Sequence, residues 1–112
     1  MSDLAPNDFT LRDLEKRVLE RAQAGAEASY TRKLLDKGVP HVAKKFGEEA
    51  AETIIAAVSE DRERVICETA DLLYHLMVVL ASRGVTLAEV EAELGNRTAQ
   101  SGLAEKASRK QD

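Results

Sequence analysis

Residues 44–52 read KKFGEEAAE, which sets Glu48, Glu49 and Glu52 directly before the apolar run TIIAAV. The pattern returns as Glu68 and Asp71 ahead of LLYHLMVVLA. Glu49 and Glu52 stand three residues apart, as do Glu68 and Asp71, so on helices each pair shares one side. Glu48 falls at the edge of the first pair. Carboxylates grouped in this way either line a solvated face or hold a cation. As hard oxygen donors they select Mg²⁺, with Mn²⁺ as a substitute, over softer metals. Such an ion keeps positions open for water and phosphate oxygens. With 20 acids in 112 residues, the first pair fits a solvated face as well as a site. The second pair shifts the balance to a cation, because it interrupts the most apolar helix of the chain. A di-iron bundle fits less well: it uses Glu-x-x-His pairs, and here His75 follows Asp71 at four residues.

Five helices are predicted to position these acids. Thr10 caps the first, with Asp13 in its opening turn, and Leu11, Leu14, Val18 and Ala22 form its apolar stripe to about Ala24. Ser29 caps a short second helix, YTRKLLDK, which stops at Gly38, a residue suited to the left-handed region. Pro40 opens the third, which runs to about Ser59. Asp61 caps the fourth, which runs to about Arg83 and stops at Gly84. Thr86 with Glu89 forms a capping box for the fifth, from Leu87 to about Leu94. No alternating apolar/polar run is present, so the fold class is all-α, a bundle of about five helices. Residues 1–97 form one domain, and 98–112 a polar, flexible tail.

The fourth helix carries Val65, Ile66, Leu72, Leu73, Leu76, Met77, Val79 and Leu80 around more than half its circumference. A helix so apolar needs cover nearly all round. Short neighbours in one chain supply little of it, so a homodimer is expected, the alternative being a central helix within one monomer. Glu68, Asp71 and His75, with Arg64, form its polar lane. A short connection at Glu60–Asp61 favours antiparallel packing of helices three and four, which lets the two acid pairs face each other.

The totals exclude several functions. A net charge of −4 and 4% aromatics give no footprint for nucleic acid or an anionic membrane. MSDLAPNDF lacks the features of a signal peptide, Cys67 is the single cysteine and is expected to be inert packing, and the apolar run LMVVLA is far below bilayer length. A cytoplasmic protein is expected.

Glu48-Glu49-x-x-Glu52 followed by Glu68-x-x-Asp71 resembles the all-α MazG-like nucleotide pyrophosphohydrolase superfamily. Within it, SYTRKLLDKG (29–38), KKFGEEAAE and ETADLLYHLMVVLASRGVTLAEV (68–90) look closely like the phosphoribosyl-ATP pyrophosphatase family of histidine biosynthesis, over roughly residues 11–97. The resemblance implies Mg²⁺-dependent hydrolysis of 1-(5-phosphoribosyl)-ATP to the AMP compound and pyrophosphate. It implies Glu49, Glu52, Glu68 and Asp71 as ligands, and Glu48 as a ligand, an acceptor behind the ligands or the base for the attacking water. Many relatives are fused to the cyclohydrolase of the next step; here that partner is expected on a separate chain. Lys33, Lys44 and Lys45 are candidates for the phosphates, or else ordinary solvated lysines and partners for Glu48 and Glu49. Ser29, Tyr30 and Thr31 are candidates for ribose or phosphate, with a plain N-cap equally good for Ser29. His75 either supports Asp71 or is a buried histidine, Tyr74 is core or interface, and Gly47 marks either a close approach or a bend. Two other functions compete: a house-cleaning pyrophosphatase acting on (deoxy)nucleoside triphosphates, and a non-catalytic helical dimerisation module.

Overall fold

A computed structural model of the chain describes residues 6–25 and 29–99. After a single 3₁₀ turn at Pro6–Asp8 come α1 (Leu11–Ala22), α2 (Tyr30–Asp36), α3 (Val39–Ser59), α4 (Arg62–Ser82) and α5 (Leu87–Thr98). The described residues contain no strand, so the fold is all-α as expected. The tail from residue 100 onward lies outside the described residues.

Local chemistry sets most helix starts. Thr10 accepts from Asp13 N–H while Asp13 accepts from the Thr10 backbone, and Thr86 with Glu89 repeats the reciprocal arrangement. The Thr10 backbone N–H also holds the Asp13 carboxyl below the usual carboxylate range. Ser29 and Asp61 cap α2 and α4 through the N–H groups of Arg32 and Arg64. Gly38 has φ 95° and ψ 165°, so its positive φ agrees with expectation while its ψ lies outside the left-handed helical region. It turns the chain from α2 directly into α3 and serves as the α3 N-cap. α1 stops two residues short of its expected end, and α5 runs four residues past Leu94. Gly95 sits inside α5, where an added Cβ would meet nothing within 4 Å.

α3 and α4 form an antiparallel hairpin joined only by Glu60 and Asp61. Val18, Leu34, Val42, Met77, Val78 and Leu87 draw all five helices into one core at the open end of that hairpin. Toward the tip only Ala56 is fully buried, and Ile54, Ile55, Val58 and Ile66 stand exposed. α4 is long and apolar enough by composition to cross a bilayer, yet it carries Glu68 and Asp71 mid-span and packs along α3.

α5 is fixed at its start by a contact across the chain: Leu87 N–H donates to Glu15 Oε2 at 2.7 Å. Glu15 thereby satisfies a donor that the helix itself leaves free. Glu15→Ala should lower stability by about 1 kcal/mol in thermal denaturation, with Glu15→Gln recovering part of the loss because it keeps an acceptor.

Candidate active site

The hairpin brings three of the acids together. Single carboxylate oxygens of Glu49 on α3 and of Glu68 and Asp71 on α4 lie within 4.8 Å of one another. Donors on opposite sides of a Mg²⁺ ion stand about 4.2 Å apart, so small side-chain rotations bring this set to bonding distance. Thr53 fixes the register between the helices, its hydroxyl lying 2.9 Å from Glu49 O and 3.1 Å from Glu68 O. Sequence reasoning missed Thr53, since a helical threonine followed by apolar residues gives no sign of its role.

Glu68 is the buried member, 5% exposed, whereas Asp71 is exposed and Glu49 half-buried. Burial raises the Glu68 carboxyl pKa, the neighbouring Glu52 and Asp71 push it further, and the Arg64 guanidinium opposes them. Arg64 is bonded to Glu68 Oε2, while Glu68 Oε1 is buried with no hydrogen-bond partner among the described residues. A buried carboxylate oxygen facing other acids and lacking a donor is what a cation ligand requires, so the residues fit a hard divalent ion. Glu52 lies beside Glu68, outside the three-oxygen set, on an exposed position of α3.

Glu48 also lies outside the set. It pairs with Lys45 at 3.3 Å, and this bond is the main cause of the raised Lys45 pKa. Lys45 is therefore the link between the acids and a groove of about 480 Å³ lined by Tyr30, Lys33, Lys37 and His41. Lys37 and His41 were not among the sequence candidates; the Gly38 turn brings them to one groove, and that turn's path is not legible from residue types. Lys44 is exposed and lies outside this lining.

The remaining candidates form the wall between α2 and α4. The Ser29 hydroxyl is engaged in capping, accepting from Arg32 N–H and donating to Arg21 O. Thr31 is buried and its hydroxyl lies 2.5 Å from Tyr74 Oη. Tyr74, whose phenol pKa is raised by burial, stacks on the exposed Tyr30 ring at 6.3 Å. His75 is a buried histidine: Nδ1 is 2.8 Å from Asp71 O, and its ring meets Tyr74 edge-on. Gly47 faces open space, since a Cβ there would meet nothing within 4 Å, so no other helix of this chain demands the glycine. Cys67, expected in packing, is exposed.

The family described as Phosphoribosyl-ATP pyrophosphohydrolase matches residues 11–98. Phosphoribosyl-ATP pyrophosphatase 1 of Bradyrhizobium diazoefficiens is 64% identical over 103 residues, covering 92% of this chain and 97% of that protein. Phosphoribosyl-ATP pyrophosphatase 1 of Rhodopseudomonas palustris is 64% identical over 93% of this chain and 97% of its own length. The Azorhizobium caulinodans phosphoribosyl-ATP pyrophosphatase is 63% identical over 95% and 97%.

Proposed function

Because the chain belongs to the phosphoribosyl-ATP pyrophosphohydrolase family, we propose that it hydrolyses 1-(5-phosphoribosyl)-ATP to 1-(5-phosphoribosyl)-AMP and pyrophosphate, with Mg²⁺ as cofactor. This is the second step of histidine biosynthesis. The observation that carries the proposal is that the family match spans both the carboxylate cluster and the cationic groove beside it. The enzyme works in the cytoplasm as a homodimer.

Hydrolysis adds one water across the anhydride between the α and β phosphates. The water oxygen bonds to one phosphorus, the bridging oxygen leaves with the other, and the water gives up a proton. Glu49, Glu68 and Asp71 would hold Mg²⁺, with Glu52 completing the set beside Glu68. When bound, Mg²⁺ neutralises phosphate oxygens and acidifies water. Glu48, outside the cluster and held at its rim by Lys45, takes the water's proton. Lys45 and Lys33 offer point charges to the departing and retained phosphates. Thr53 and Arg64 position the acids rather than touch substrate. Lys44, outside the groove, receives no role, and Ser29 and Thr31 hold the wall that presents Tyr30.

Pyrophosphate release measured side by side from phosphoribosyl-ATP, dUTP, dCTP and ATP tests the assignment. The first should exceed the others by orders of magnitude; a preference for dUTP or dCTP would move the chain to the house-cleaning activity. Mg²⁺ at about 100 times its dissociation constant should stabilise the parent by about 2.7 kcal/mol. Glu49→Gln and Asp71→Asn should abolish that gain, and a non-catalytic dimer would show none.

A further inference from the structure

We infer that Arg64 makes the carboxylate cluster select Mg²⁺ over Ca²⁺, by holding Glu68 to a single ligand oxygen. The inference rests on the metal assignment proposed above and adds how this chain discriminates between two hard cations.

The two carboxylate oxygens of Glu68 have different surroundings. Oε2 accepts from Arg64 Nη2, whereas Oε1 is buried with no hydrogen-bond partner among the described residues. A charge-assisted bond from a guanidinium is among the stronger contacts a carboxylate makes. Arg64 stands one turn before Glu68 on α4 and also approaches Glu60, with Nε 3.8 Å from its Oε1, so carboxylates hold the guanidinium from two sides. Glu49 and Asp71 offer their oxygens from half-buried and exposed positions, where water can complete the shell of an ion. Beside Glu68 the site is closed, since that side chain is buried. Thr53 keeps the helices from parting there, its hydroxyl lying 2.9 Å from Glu49 O and 3.1 Å from Glu68 O.

This asymmetry bears differently on the two ions. Mg²⁺ takes a small octahedral shell and keeps several waters, so one oxygen from each of three carboxylates suffices. Ca²⁺ is larger, takes about six to eight oxygens and commonly draws on both oxygens of a carboxylate. On the Glu68 side it finds no water to fill its shell, and the second oxygen is already committed to Arg64. Ca²⁺ must break that bond to use it, while Mg²⁺ binds Oε1 and leaves the bond intact. The cost therefore falls on one ion alone, which is what selectivity requires. The positive charge of Arg64 acts otherwise, repelling both ions alike and leaving the ratio of their affinities unchanged.

Calorimetric titration of Mg²⁺ and of Ca²⁺ into the parent, Arg64→Met and Arg62→Met tests the clamp. Methionine keeps a long unbranched side chain and removes the donor, and the Arg64 side chain is half-exposed, so helical circular dichroism should be retained. The parent should bind Mg²⁺ more tightly than Ca²⁺. Arg64→Met should narrow that preference by about tenfold or more, chiefly through tighter Ca²⁺ binding, the scale on which groups behind metal ligands act. Arg62, two residues away, is exposed and has no carboxylate partner among the described residues. Arg62→Met thus removes the same charge without touching Glu68, and its preference should stay within about twofold of the parent, since exposed charges are screened. A parent without preference, an unchanged ratio in Arg64→Met, or equal narrowing in both variants would each overturn the inference. Crystals supply a second readout: Ca²⁺ in Arg64→Met should contact both Glu68 oxygens, and Mg²⁺ in the parent only Oε1. Two Glu68 oxygens on Mg²⁺ in the parent would likewise overturn the clamp. None of these measurements needs turnover, so a parent that selects Mg²⁺ in this way yet fails to hydrolyse phosphoribosyl-ATP would sink the proposed substrate and leave the clamp standing.

Discussion

Glu68→Gln should lower turnover more than about 100-fold while leaving the chain folded, because it would delete a proposed metal ligand, and even changes to the groups behind such ligands cost about 10–100-fold. The amide is nearly isosteric, so packing against α3 is retained. Its stability effect has a definite sign. The Glu68 pKa is raised by burial, and then by Glu52 and Asp71, despite Arg64, so the metal-free fold prefers the neutral acid. A raised pKa means that the folded state binds the proton more tightly than the unfolded chain. Metal-free stability is therefore fully present below the ordinary glutamate range and is lost as pH rises through the raised folded value. Glu68→Gln should remove that slope and melt at or above the parent at neutral pH without metal. Turnover near the parental rate at saturating Mg²⁺ would dismiss Glu68 as a ligand, and an undiminished slope would mean another group causes it.

Ile54→Lys combined with Val58→Lys should convert the proposed dimer to single chains and cause most of the activity to be lost. Val58 is 81% exposed and Ile54 63% exposed in one chain, one turn apart on α3, and Ile66 on the neighbouring α4 is exposed as well. Four large aliphatic side chains at one hairpin tip form the kind of patch that marks an interface. Two lysines there would bring charges into a surface that must dry on association. Sedimentation should report the mass of one chain with helical circular dichroism preserved. A double variant that stays paired would place the dimer interface elsewhere.

The parts of this molecule governed by neighbours in sequence were legible from residue types. The Thr10–Asp13 and Thr86–Glu89 caps, the Ser29 and Asp61 starts and the two-residue break at Glu60–Asp61 are local chemistry, and all are present. Spacing of three residues, plus that short break, was enough to bring Glu49, Glu68 and Asp71 together. Legibility failed where partners are far apart in the chain. Glu15 reads as an ordinary solvated acid until Leu87, 72 positions on, is brought to it. Lys37 and His41 flank the Gly38 turn, and only the angle between α2 and α3 makes them neighbours of Lys33 and Lys45. Tyr74, read as core or interface, is tied to Thr31 by a hydroxyl contact that no periodicity reveals.

The two-residue link between α3 and α4 also orders events during folding. Closing so short a loop costs less entropy than bringing distant segments together. The carboxylates belong to that hairpin alone, whereas the groove needs α2 and the core needs every helix. A chain in which that hairpin formed first would hold the proposed ion's ligands together before it could admit a nucleotide, and an ion bound there would favour the hairpin by relieving repulsion among those acids.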